Sequence, residues 1–140
     1  MGYRELSHTS DTGLEIWAAS LAELFGAAAL GFADTVADLS AIEPRERGKL
    51  ACSASGRDLL MVAWLEELLY EFEVAGRLYS EVRADIRQTD ADWRLEAAVR
   101  GEPYDAGRHG LKVPIKGVTY HGLEVFEDGR VWRGRVLFDI

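Results

Sequence analysis

Two short segments of the sequence carry side chains that could bind a metal ion. Near the start, residues 8–13 form a polar run that includes Asp11, between two short apolar segments. At the other end Asp139 precedes Ile140, and if the chain ends there, an α-carboxylate lies one residue from the Asp139 side chain. Carboxylates this close repel each other unless a cation neutralises them. Oxygen ligands alone select hard ions such as calcium, magnesium or manganese over zinc.

Each segment also has an interpretation without a metal ion. The run at residues 8–13 is typical of a turn in which Ser10 or Asp11 bonds its own backbone and Gly13 supplies a permissive conformation. The segment around Asp139 is equally consistent with an exposed, frayed terminus that has no partner. The residue pattern alone leaves both interpretations open.

The histidines and the single cysteine do not form a zinc motif. His8, His109 and His121 are scattered, without H-x-x-x-H spacing, and Cys52 has no second cysteine to join it. His109 lies in a stretch rich in glycine and proline, residues 101–114, which we predict to be an irregular, exposed loop with a functional role.

Lys116 is the remaining candidate contact residue. It immediately precedes a predicted strand that begins near residue 118. A lysine in this position could contact a phosphate group or a partner, or it could be a solvated charge at a sheet edge. The sequence has no phosphate-binding glycine loop, dinucleotide fingerprint or nucleophile elbow. It therefore does not indicate a self-sufficient catalyst.

The elements that must position these residues can be predicted from hydrophobic periodicity. Apolar residues at helical spacing predict one helix from Ser20, which forms a capping box with Glu23, and another over residues 58–72. Most of the remaining chain alternates apolar and polar residues, which predicts strands, and Asp128-Gly129 predicts a hairpin turn. The economical arrangement is an α+β fold with two layers, a mixed, mostly antiparallel sheet with two helices packed on one face, as a single domain over residues 1–140.

Composition narrows the classes of function. The 140 residues include 16 basic and 24 acidic side chains, for a net charge of −8. Such a surface repels phosphate backbones, and the basic residues do not cluster along the sequence, so we expect no direct DNA binding. The first residues do not form a signal peptide, and no apolar run approaches the ~20 residues that span a bilayer. We expect a cytoplasmic protein without a membrane partner.

Four segments, in order, resemble the archease family. Residues 8–13 are similar to its H-T-A-D-x-G opening, although Ser10 and Thr12 replace the more usual alanine and isoleucine or valine. The other matching segments are a G-x-x-L-x-x-L-L-x-x-W-L helix at Gly56–Tyr70, a central block at Gly101–His121 and the ending Phe138–Ile140. The resemblance covers essentially the whole chain from residue 8 onward.

The resemblance implies an accessory role rather than catalysis. Archeases assist the RtcB-type RNA ligase, which joins tRNA halves or repaired RNA ends with GTP and divalent metal, by promoting guanylylation of the ligase and multiple turnover. By the resemblance, this chain would reach tRNA only through the ligase. The implied site has metal ligands Asp11, Asp139 and Ile140, a partner or phosphate contact at Lys116, and His8 and His109 supporting the ligands from behind.

Two other classes of function remain as alternatives. One is a small metal-dependent phosphoester hydrolase in which Asp11, Asp139 and His109 surround one ion. The other is a chaperone or general binding module, suggested by the small two-layer fold and by an acidic stripe on the second predicted helix.

Overall fold

A computed structural model describes residues 1–7 and 11–140, with only the backbone of Ser7 and Asp11. The elements follow the periodicity of the sequence closely. The strands are β1 (Gly2–Ser7), β2 (Asp11–Ala18), β3 (Glu46–Ala54), β4 (Arg77–Gln88), β5 (Trp93–Pro103), β6 (Gly117–Asp128) and β7 (Val131–Asp139). The helices are α1 (Leu21–Val36), α2 (Arg57–Glu73) and the single-turn α3 (Ala106–His109), with a 3-10 turn at Leu39–Ala41. Ser20 caps α1, since its hydroxyl accepts the backbone N–H of Glu23 as predicted.

The strands form two sheets, which confirms the α+β class but differs from the single mixed sheet that we predicted. One sheet has the order β1-β2-β7-β6 and the other the order β3-β5-β4. Every strand pairing in the described part of the chain is antiparallel. The alternating pattern identifies the strands but carries no information about which strands pair, and this explains the difference.

The two long helices form the layer that joins the sheets. Each of α1 and α2 contacts strands of both sheets. The indole Nε1–H of Trp64 on α2 donates to the carbonyl of Phe25 on α1 at 2.9 Å. Arg57, at the start of α2, lies over the rings of Trp93 in β5 and Trp132 in β7, with its guanidinium carbon 5.9 and 5.0 Å from the ring centroids. A shared hydrophobic core and the cation–π contacts of Arg57 therefore connect the two sheets.

Two loop predictions have different outcomes. The Asp128-Gly129 turn is confirmed: it connects β6 to β7, and Gly129 has φ +64°. The predicted irregular stretch at residues 101–114 is wrong in part, because β5 continues to Pro103 and α3 occupies four further residues. The strand continues because Gly101 lies directly against the backbone of Leu78, where any Cβ would collide with the carbonyl oxygen.

Candidate functional site

The register of β2 and β7 brings the two predicted carboxylate positions together. Asp11 is the direct cross-strand partner of Asp139, although 128 positions separate them in sequence. Phe138 is fully buried whereas Asp139 is exposed, so the predicted orientation of Asp139 away from the core is confirmed. Positions directly opposed in an antiparallel pair share one face of the sheet and lie about 4.5–5.5 Å apart.

Gly13 is what permits this register. A Cβ at position 13 would collide with the carbonyl oxygen of Val136 and with the side chain of Leu137 in β7. Gly13 is itself paired with Leu137, two residues from the Asp11–Asp139 pair. The glycine of the opening motif is therefore needed for close approach of the two strands. It lies within β2 and has no positive φ, so the interpretation of Gly13 as a turn residue is wrong.

Lys116 lies at the same end of the sheet. Its backbone N–H donates to the carbonyl of Asp139 at 2.7 Å, and the next residue, Gly117, is the cross-strand partner of Asp139 in β6. Positions at the ends of β2 and β7 and at the start of β6 thus lie together at one end of the sheet. We call this region the acidic end, and it comprises Asp11, Asp139, Ile140, Lys116 and Gly117. His8 lies outside the described residues.

A buried ionic cluster anchors the loop that leads to Lys116. Glu102 lies at the end of β5, and its side-chain carboxylate is only 3% exposed. It accepts two parallel hydrogen bonds of 3.0 Å from the guanidinium of Arg108 and one of 2.7 Å from the backbone N–H of Glu43. The Arg108 hydrogen bonds, followed by that of the Glu43 N–H, lower the pKa of Glu102 to about 2. The cluster is therefore ionised and tightly bound at neutral pH.

His109 belongs to this cluster, which corrects its predicted exposure. Its side chain is fully buried. Nδ1 accepts the backbone N–H of Asp105 at 2.9 Å, so the neutral ring carries its proton on Nε2 and donates it to Glu102, also at 2.9 Å. Both ring nitrogens are thus occupied within the loop, and this geometry does not favour the hydrolase hypothesis, which needed His109 as a metal ligand. The prediction that His109 supports the metal ligands indirectly, through the loop that leads to the acidic end, stays a prediction.

The loop between α3 and β6 is held at several points along its length. Tyr104 stacks on His109 with 5.8 Å between ring centroids, and its hydroxyl donates to the carbonyl of Gly110 at 2.8 Å. The N–H of Lys112 donates to the carbonyl of Val36 at the end of α1, also at 2.8 Å, and Ile115 is buried. The path from Glu102 to Lys116 is therefore packed and hydrogen-bonded.

The donor chemistry of the acidic end fits a hard divalent cation. Aspartate carboxylates and main-chain oxygens are the ligands that calcium, magnesium and manganese take in proteins. Among the residues that the structure describes, no basic side chain lies within ion-pair distance of Asp139. The same described set contains no group of three or more histidine, cysteine, aspartate or glutamate side chains arranged to hold a metal. Main-chain oxygens such as those of Ile140 would add to the carboxylates as oxygen ligands.

The outward side of the four-stranded sheet carries an exposed row at the opposite end of β7 from Asp139, with the buried Leu137 between the two. Cross-strand pairing places Trp17, Arg133 and Phe126 in one row across β2, β7 and β6. We call this row the aromatic face. Trp17 is 36% exposed and Phe126 42% exposed. Tyr120, in the irregular segment of β6, is 63% exposed. Exposed aromatic side chains that share a face are typical of surfaces that contact another protein.

Sequence reasoning missed the central role of Glu102. In the sequence, no motif marks the carboxylates of Glu102 and Asp105 as functional. The structure joins Glu102 to the backbone of Glu43 across 59 positions. No local signal could have indicated this contact, because it depends on the loop after the 3-10 turn reaching the end of β5.

Comparison with known proteins identifies the class to which this fold and site belong. The sequence profile of the Archease protein family matches residues 3–140. The protein archease of Methanopyrus kandleri is 36% identical over 143 residues, covering 100% of both chains. That of Thermococcus gammatolerans is 32% identical over 140 residues, covering 99% of this chain and 98% of the relative. The chain belongs to the archease family.

Solved structures agree with this assignment. The solution structure of protein 1598 from Methanobacterium thermoautotrophicum has a TM-score of 0.85 at 25% identity and covers 99% of both chains. A crystal structure from Thermotoga maritima, described as an archease and possible chaperone, has a TM-score of 0.57 at 20% identity and covers 96% of this chain and 94% of that one. The second likeness shows the shared fold alone. Among the described helices of this chain, none combines the length and apolar character needed to cross a bilayer.

Proposed function

We propose that this archease is an accessory activator of an RtcB-type RNA ligase in tRNA splicing or RNA repair. It promotes guanylylation of the ligase with GTP and allows multiple turnover in the cytoplasm, without joining RNA itself. The observation that carries the proposal is the direct pairing of Asp11 with Asp139, with Lys116 hydrogen-bonded to the Asp139 backbone. These are the positions that the family resemblance implies for the site.

The acidic end is proposed to hold one divalent ion, such as calcium, magnesium or manganese. Asp11, Asp139 and a main-chain oxygen of Ile140 would be its ligands, and the bound ion would offset the repulsion of the two carboxylates. Lys116, exposed next to these residues, would contact the partner or a phosphate group. The Glu102 cluster keeps the loop that ends at Lys116 in place.

The aromatic face supports a protein partner for this surface. Trp17 and Phe126 flank Arg133 in register, and this row lies on the same side of the sheet as Asp139, since positions 133 and 139 are an even number of residues apart in β7. Partly exposed aromatic and arginine side chains are the residues that most often dominate protein–protein binding. A ligase docked on this side would therefore meet the aromatic face and the acidic end together.

The test is guanylylation of a cognate RtcB-type ligase with labelled GTP, with substoichiometric amounts of this protein. We expect many ligase turnovers for each added molecule. Asp139→Asn and Asp11→Asn should remove the stimulation, whereas Asp90→Asn, an exposed aspartate in the turn between β4 and β5, should retain it. Full stimulation by folded Asp139→Asn protein would exclude the metal site from the mechanism. No stimulation by the unaltered protein would overturn the proposed function.

A chaperone-like role is the second candidate, favoured by the exposed aromatic side chains Trp17, Tyr120 and Phe126. It predicts that the protein suppresses aggregation of unrelated clients on heating. This suppression would depend on the aromatic residues and would be indifferent to Asp139→Asn. Ligase stimulation that requires Asp139, without protection of unrelated clients, would reject this candidate.

A further inference from the structure

The outward side of the three-stranded sheet collects basic residues that are far apart in sequence. Register across β3, β5 and β4 places Arg47 beside Arg100, and Lys49 and Arg83 on either side of Ala98. We call this side the basic face. Its charged members are six basic residues, Arg47, Lys49, Arg83, Arg87, Arg94 and Arg100, and three acidic ones, Glu81, Asp85 and Glu96. The face is thus locally positive in a chain whose net charge is −8.

The acidic residues of the basic face are already matched by neighbours on the same face. Asp85 pairs with Arg87 at 3.3 Å, Glu96 with Arg94 at 3.2 Å, and Glu81 with Arg100 at 4.0 Å. Arg47, Lys49 and Arg83 remain, and they make no ion pair with any residue that the structure describes. Lys49 and Arg83 flank the small side chain of Ala98, and Arg47 lies opposite the neighbouring Arg100. A shallow depression of about 510 Å³ includes Lys49, Ala98 and Arg83 in its lining, together with the paired residues Asp85, Arg94 and Glu96.

We propose that the basic face binds the phosphate backbone of a double-stranded nucleic acid. Three unmatched cations next to Arg100 on an open sheet provide the charge that phosphate contacts require, and arginine offers a planar fork suited to phosphate oxygens. This inference is independent of the proposed activation of a ligase. It departs from the expectation, based on net charge, of no direct DNA binding, and from the implication of the family resemblance that the chain reaches tRNA only through the ligase.

The chemistry of the face favours a nucleic-acid duplex over the other partners that a basic surface can take. All residues of the basic face are described, and none is aromatic. It therefore lacks the stacking platform that single strands use. It also lacks a large exposed apolar side chain, which would serve as the anchor of a protein interface. A polar, positively charged surface without such anchors is typical of sequence-independent contact with a backbone.

The test is fluorescence anisotropy of a labelled RNA duplex of about 20 base pairs, titrated with the protein between about 50 and 200 mM monovalent salt. The decisive variant carries Arg47→Gln, Lys49→Gln and Arg83→Gln. The matched control carries Arg4→Gln, Lys112→Gln and Arg130→Gln, which remove the same charge outside the three-stranded sheet. Thermal unfolding establishes that both variants are folded.

We expect the basic-face variant to bind at least about tenfold more weakly than the control. Its slope of log affinity against log salt should fall by about 2–3, because up to three phosphate contacts are lost. Equal loss in the two variants, or duplex binding too weak to detect at the lowest salt, would overturn the proposal. Tighter binding of polyglutamate than of duplex would overturn it in favour of an acidic protein.

Discussion

The outward sides of the two sheets differ in the chemistry that they display, although the same helix layer supports both. On the four-stranded sheet, the aromatic face combines Trp17 and Phe126 with Arg133, and a neighbouring row alternates charges in register: Arg4, Glu15, Arg135 and Glu124. The acidic end lies at one end of this sheet. On the three-stranded sheet, the basic face has no aromatic residue and keeps three cations without an acidic partner among the described residues.

This difference shows that the net charge and the alternation of apolar and polar residues describe the whole chain, and do not predict the chemistry of each exposed face. Both sheets have strands that alternate core and solvent positions, and the total charge is strongly acidic. The character of each outward side depends on which strands are neighbours, because register assembles a surface from three or four distant segments. One small domain can therefore present separate surfaces suited to a protein partner and to phosphate groups.

The largest expected effect on stability comes from the register that creates the acidic end. Gly13→Ala should lower the free energy of unfolding by about 3 kcal/mol, because the added Cβ collides with the backbone of β7. Chemical denaturation gives the value, and metal titration by calorimetry should show loss of binding at the acidic end. Gly117→Ala is the matched control, since a Cβ there meets nothing within 4 Å on the other neighbour of Asp139. Similar losses in both variants would show that close approach at Gly13 is not what sets the register.

The next effect concerns the connection between the two sheets. Glu102 ends a strand of the three-stranded sheet, yet its cluster holds the loop that leads to Lys116 on the four-stranded sheet. Glu102→Gln should cost about 2 kcal/mol of unfolding free energy, since it replaces a buried, ionised acceptor of several N–H groups with a neutral amide. Ligase stimulation should fall as well. Glu96→Gln on the basic face is the exposed control, and an equal cost there would argue against a special role for the Glu102 cluster.

The same carboxyl group predicts how stability depends on pH. Its pKa is about 2 in the folded protein, against an ordinary value of 4.5, chiefly because of the hydrogen bonds from Arg108. The folded state therefore binds fewer protons, so the stabilisation is complete above about pH 4.5 and declines as the pH falls towards 2. Denaturation of the unaltered protein at pH values from about 7 down to about 3 should show this decline in the free energy of unfolding. The Glu102→Gln variant should show a shallower one, and parallel curves would contradict the assignment.

The smallest effects on stability are expected from single substitutions on the aromatic face and on the basic face. These substitutions should differ only in which activity they weaken. Phe126→Ser and Lys49→Gln are substitutions at exposed positions, so each should change the free energy of unfolding by no more than about 0.5 kcal/mol. Phe126→Ser should weaken ligase stimulation several-fold and leave duplex binding unchanged, whereas Lys49→Gln should do the reverse. Parallel loss of both activities in either variant would show that the faces do not act separately.

Local patterns predicted most of the secondary structure but only part of the site. The Ser20 cap, the Asp128-Gly129 turn and the outward direction of Asp139 each depend on neighbouring residues, and each is confirmed. The extension of β5 through Gly101 and the burial of His109 were missed. Both depend on contacts with distant backbone, at Leu78 and at the Glu102 cluster, that no local pattern specifies.

The order of residues alone is enough to indicate the α+β class, the archease resemblance and the residue types available at Asp11, Asp139 and Lys116. Capping, turn chemistry and periodicity are local properties, so the order of residues is sufficient to specify them. Tertiary packing divides the strands into two antiparallel sheets, sets Asp11 opposite Asp139, and places Lys49 and Arg83 on either side of Ala98 with Arg47 opposite Arg100. Strand register and partner choice arise from packing both sheets on one helix layer, and that packing acts between residues that the sequence keeps far apart.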